Sequence, residues 1–125
     1  MVGIEIQPQE DCSLITLSGE IDHATAPELE EALLDLIRAD CSNLVLNFGD
    51  VTYISSAGLR ALAVAQMAAR RQSPPGQIIF AEVSPVVKQT FELVGFYDLF
   101  ESWPTDAQAL RRFAPAGNPD KERSA

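Results

Sequence analysis

Two adjacent serines followed by a glycine, Ser55-Ser56-Ala57-Gly58, are the residues whose types and spacing best suit chemistry in this chain. They lie between a strand-like apolar run, Leu44-Val45-Leu46 with Phe48, and an alanine-rich helical run from Leu59 to Ala69. A strand that hands over to a helix leaves unpaired backbone N–H groups at the helix start, and a hydroxyl placed there is accessible. A phosphate on that hydroxyl would meet the positive end of the helix dipole. The stretch Asp50 to Arg60 therefore reads as an exposed turn carrying a modifiable serine. A hydrolase reading is disfavoured, because the first glycine of a nucleophile elbow is absent and the single histidine, His23, precedes the serines. His23 reads as a surface or partly packed side chain. With no glycine-rich phosphate loop, metal-ligand cluster or dinucleotide fingerprint in the sequence, the expectation is a protein that is not an enzyme and uses no metal or cofactor.

Composition narrows the partners. The 125 residues carry a net charge of −9 with nine basic residues, which argues against nucleic-acid backbones and anionic membranes as partners and in favour of proteins. A hydrophobic content of 46% is enough for a core in one domain. No apolar run approaches membrane-spanning length and the first residues lack signal-peptide character, so a cytoplasmic protein without membrane insertion is expected. Cys12 and Cys41 are read as reduced, half-buried thiols, with a single disulfide left open.

The elements that must position the serines follow from periodicity. Residues 4–7 and 14–18 alternate as two strands joined by a polar turn, presenting Ile4, Ile6, Leu14 or Ile15, and Leu17 to one core. Thr25 with Glu28 has capping-box spacing, and Leu29, Leu33, Leu36 and Ile37 mark the apolar face of a helix ending near Arg38. Residues 43–48 form a strand, and the helix after the serines directs Leu59, Leu62, Ala63, Gln66 and Met67 inward. A further strand covers 78–81. Ser84-Pro85 starts a helix with Val87, Phe91 and Val94 inward and Gly95 as its cap. Leu99-Phe100 is read as a small edge segment, and Thr105 with Gln108 starts a last short helix through Phe113. Residues 114–125 are expected to be a disordered tail beyond a domain of residues 1–113.

Strand-helix-strand units make parallel crossovers, so the second, third and fourth strands are expected to be parallel and the first pair antiparallel. Loops after parallel strands emerge on one edge of the sheet. Asp22 and His23, residues 50–56, and Glu82 to Ser84 are therefore expected on one rim.

Three segments carry a resemblance. Gly19-Glu20-Ile21-Asp22, Asp50-Val51-Thr52-Tyr53-Ile54-Ser55-Ser56-Ala57-Gly58-Leu59 and residues 91–100 resemble the signatures of the STAS domain family, specifically the stand-alone bacterial anti-sigma factor antagonists. The likeness spans about residues 4 to 113, and the middle segment is the specific one. It implies an α/β fold, a single domain with a small mixed β-sheet and helices packed mainly on one face. It also implies a partner, an anti-sigma factor with serine kinase activity, whose binding is cancelled by serine phosphorylation and restored by a serine phosphatase. By motif position Ser56 is the acceptor and Ser55 the second choice; the family pattern has aspartate where Ser55 stands. Asp22, Asp50, Ser55, Ser56, Gly58 and Arg60 are the candidate partner-facing residues. For Asp22 a solvated turn is an equal reading, for Asp50 a turn held by its own hydrogen bonds is preferred, and for Gly58 close packing is expected. Arg60 reads first as part of a solvated face, and second as a cation able to meet a phosphate or an acid of the partner. The alternative function is a constitutive STAS subunit of a lipid-transport or other membrane-associated complex.

Overall fold

The computed structural model describes residues 2–114. Along the chain run β1 (Val2–Pro8), β2 (Ser13–Ile21), α1 (Ala26–Arg38), β3 (Asn43–Ile54), α2 (Ser56–Arg70), β4 (Gln77–Ala81), α3 (Pro85–Leu93), a 3₁₀ turn (Phe96–Asp98), β5 (Ser102–Trp103) and α4 (Asp106–Arg112). The strands form one mixed sheet in sequence order. β1 and β2 are antiparallel and every later pair is parallel, as the connectivity requires. The expected tail from 115 onward lies outside the described residues.

Period-two alternation divides the strands between two faces. Ile15, Leu17, Leu44, Leu46, Phe48, Ile78 and Phe80 are buried under α1, α2 and α3, whereas Leu14, Val45, Ile79 and Ala81 pack beneath Ala109 of α4. Leu14 and Ile15 are thus both core residues, on opposite faces. The amphipathic stripe of α1 is confirmed by buried Leu29, Leu33 and Ile37. The segment 91–100 becomes an aromatic stack: Phe91 lies 4.8 Å from Phe80 and 5.5 Å from Phe96 between ring centroids, and Phe100 lies 4.4 Å from Phe80.

Several local expectations are corrected. Ile6 sits on the edge strand β1, with β2 on one side only, and is 41% exposed. Met67 and Val94 point outward, and the inner face of α2 is instead the small-residue set Gly58, Ala61, Ala65 and Ala69 with Leu62 and Gln66. The edge strand is Ser102–Trp103 rather than Leu99-Phe100, since Phe100 is drawn into the aromatic stack. Gly95 is the left-handed residue just past α3, with φ +75°, and leads into the 3₁₀ turn. Cys12 and Cys41 are free, one buried and one half-buried, and burial pushes the Cys12 thiol up to about 11, with Asp11 and then Cys41 adding to the effect.

Gln66 is fully buried and joins α2 to β4. Its Nε2 donates to the Ile78 and Leu99 carbonyls at 3.2 and 3.0 Å, and its Oε1 accepts from the Ile78 N–H at 2.7 Å. A leucine of similar bulk would strip partners from buried backbone groups, each of which costs about 1–3 kcal/mol when left unsatisfied. Urea denaturation of Gln66→Leu is expected to show a loss of that order with the m-value unchanged.

Candidate functional site

The stretch 50–60 is not a turn. β3 runs through Ile54, overhanging β4, and pairs Asp50, Val51, Tyr53 and Ile54 with Ser18, Gly19, Glu20 and Ile21 of β2. The junction is the single residue Ser55. Its backbone N–H donates to the Ile21 carbonyl at 2.8 Å, and its hydroxyl accepts from the Gly58 N–H at 3.3 Å, the N-cap bond of α2. Ser55 therefore carries the capping role that either serine could have filled. Ser56 is the first helical residue, exposed, and its hydroxyl makes no hydrogen bond among the described residues.

Gly58 lets this first turn settle on the strand ends. A Cβ there would stand 2.7 Å from Ile21 Cγ2 and 2.8 Å from Ile54 Cγ1, closer than carbon atoms pack. The side chain of Asp50 is exposed and makes no hydrogen bond among the described residues, which corrects the expected self-held turn: its backbone is held by the strand ladder instead.

Asp22 closes the loop after β2. Its Oδ1 accepts from the N–H groups of Ala24 and Thr25, each at 3.0 Å, and from the Thr25 hydroxyl at 3.1 Å. Thr25 is the N-cap residue of α1 but makes no side-chain cap, so the expected capping box does not form. Its Oγ1 turns back, accepting from the Asp22 N–H and sharing its one hydrogen between the Glu20 carbonyl and Asp22 Oδ1. The backbone N–H of Thr25 leads the causes that hold the Asp22 carboxyl below its ordinary value. Since Ile21 and Ser55 are bonded, Asp22 and Ser56 leave adjacent points of the rim.

The third loop joins by one bond: the Ser84 hydroxyl donates to the Val51 carbonyl at 3.4 Å. Ser84 starts α3 without a side-chain cap. Glu82 serves the opposite face, its carboxylate accepting from the Asp106 N–H at the start of α4. His23 and Arg60 share a cleft of about 590 Å³ between α1 and α2, with Ala57, Glu30, Glu31 and Arg38. Tyr53 was not among the sequence candidates, yet it is 52% exposed on the overhang opposite Glu20. The signal available for it was an aromatic two residues before the cap, at an outward position of the strand. Among the described residues no three His, Cys, Asp or Glu side chains converge as a metal site, and no helix is long and apolar enough to cross a membrane.

The STAS domain family model matches residues 3–109. The chain belongs to the STAS domain family. This STAS domain is 31% identical over 98 residues to the anti-sigma-B factor antagonist of Staphylococcus epidermidis, covering 78% of this chain and 89% of the relative. An anti-sigma factor antagonist from Mycobacterium paratuberculosis has the same fold, with a TM-score of 0.81 at 24% identity over 92% of this chain and 96% of its own. The Bacillus cell-fate determinant SpoIIAA in its phosphorylated form superposes with a TM-score of 0.68 at 17% identity, covering 88% and 98%. The mixed sheet with helices mainly on one face is thus the STAS fold, and the curated relatives named here are anti-sigma factor antagonists.

Two measurements probe the rim's construction. Gly58→Ala is expected to lower stability by about 1–3 kcal/mol, the usual cost of overpacking, in a denaturation titration. The carboxylate of Asp22 stabilises the fold fully above its unfolded-state pKa and loses that contribution as pH falls through its depressed folded-state value. The stability advantage of the native chain over Asp22→Asn is therefore expected to shrink below roughly pH 4 in parallel denaturation series.

Proposed function

We propose that this STAS domain is a cytoplasmic anti-sigma factor antagonist that binds an anti-sigma factor with serine kinase activity while Ser56 is unmodified, and releases it when Ser56 is phosphorylated. The observation that carries the reading is the division between the two serines: Ser55 is engaged as the helix cap, and Ser56 presents an exposed hydroxyl without a hydrogen-bond partner among the described residues. The names of the homologues support the partner class. A serine phosphatase would complete the cycle. The relatives named above give no support to the alternative of a constitutive subunit in a membrane-associated complex.

In the transfer, the γ-phosphoryl group of ATP moves to Ser56 Oγ, ADP leaves, and the hydroxyl proton passes to a base on the kinase. The product carries roughly −1.5 to −2 charges at neutral pH. A helix N-terminus favours such an anion by roughly 0.3–1 kcal/mol, so the isolated domain tolerates it. Loss of the complex must arise at the interface. Moving it from almost wholly bound to almost wholly free takes a differential of about 5.5 kcal/mol, which burial of an unpaired phosphate against the partner can supply. Asp22, Asp50, Ser55, Ser56 and Arg60 frame the partner-facing rim, with Tyr53 as its exposed aromatic anchor, whereas Gly58 is buried beneath it and acts through packing.

Pull-down with the cognate anti-sigma factor tests the switch. Ser56→Ala is expected to bind whether or not ATP is present, and Ser56→Asp to bind weakly. Mass mapping after incubation with kinase and ATP is expected to place the phosphate on Ser56 in both the native chain and Ser55→Ala. Equal binding by the two Ser56 variants, or modification confined to Ser55, would overturn the assignment.

A further inference from the structure

We infer that Arg60 is the internal counter-ion of phosphorylated Ser56. This rests on the reading of Ser56 as the modified residue and adds what holds the phosphate once it is there. Ser56 opens α2 and Arg60 stands four residues on, so the two share one face of the helix a single turn apart. Helical side chains lean towards the N-terminus, which puts the turn that carries Ser56 within reach of the long Arg60 side chain; Arg60 lines the cleft beside Ala57, the chain neighbour of Ser56.

The guanidinium is uncommitted. Arg60 is exposed and makes no hydrogen bond or ion pair among the described residues, although Glu30 and Glu31 of α1 border the same cleft. Helix α2 has no acidic residue, so nothing on its own helix competes for Arg60. Its other arginine, Arg70, is engaged with the Leu99 carbonyl at 3.1 Å. A phosphate on Ser56 would thus be the sole anion on α2 and would face an unpaired planar cation whose fork matches two phosphate oxygens. Serine itself gives Arg60 nothing of opposite charge to meet, so the pair exists only in the modified state. Capture draws the guanidinium towards position 56, and phosphorylation then rearranges two charges on the rim instead of adding one.

The test uses the full chain with phosphoserine incorporated at position 56 during translation, so that it does not depend on any kinase. Phosphorus NMR follows the second ionisation of the phosphate with pH. A cation that favours the dianion lowers that midpoint, and the expected difference between the native chain and R60Q is roughly 0.2–0.4 pH unit, lower in the native chain. R60K should keep part of the difference, and roughly 1 M salt, with a Debye length near 3 Å, should shrink it. Identical midpoints in the native chain and R60Q at low salt would overturn the ion pair while leaving the kinase reading intact. Mapping of the kinase product to another residue would overturn that reading without altering the NMR result.

Discussion

The first turn of α2 rests directly on the ends of β2 and β3, and the rest of the rim depends on that close approach. Any side chain at position 58 would force Ile21 and Ile54, which crowd the helix, to shift. The same contact aligns the Ser55 N–H with the Ile21 carbonyl and turns the Ser55 hydroxyl into the helix to cap Gly58. Once Ser55 is fixed, the next residue has to be the first helical one, and Ser56 projects outward. The exposure of one hydroxyl is therefore a consequence of packing beneath it.

That arrangement suits a switch that must leave its scaffold intact. The residues bearing the site are held by strand pairing, by the Ile21–Ser55 bond and by the loop around Asp22, none of which uses the Ser56 hydroxyl. Changing the chemistry of Ser56 need not disturb the core. The aromatic stack of Phe80, Phe91, Phe96 and Phe100 joins α3 and the 3₁₀ turn to β4 and consists of ring contacts in which the rim serines take no part. A modification felt by a partner and not by the fold is what this separation permits.

Much of the architecture was legible from periodicity. Alternation in 14–18 and the apolar run 44–48 placed β2 and β3, the spacing of Leu29, Leu33 and Ile37 placed α1, and the strand-helix-strand crossovers fixed the parallel order. What periodicity could not weigh was competition between neighbours. Thr25 has capping-box spacing with Glu28, yet its hydroxyl serves Asp22 and Glu20, because the loop offers partners nearer than the helix N–H groups. Residues 50–54 read as part of the turn between the apolar run 44–48 and the helix, yet β2 continues beside them and supplies a ladder. Gln66 was assigned to an inner helical face without any sign that it would bond the backbone of β4 and the Leu99 carbonyl.

The sequence by itself determined the order and type of most elements, the rim shared by the loops after β2 and β3, and the pair of serines within it. Those properties are local, set by side-chain period and chain connectivity. Motif position ranked the two hydroxyls, and only the tertiary structure gave them different local roles, Ser55 as the helix cap and Ser56 as the exposed residue. Both serines suit a helix start, and the choice between them depends on where the helix axis meets the strand ends. That position is set by contacts between residues distant in sequence, Gly58 with Ile21 above all, which no local pattern records.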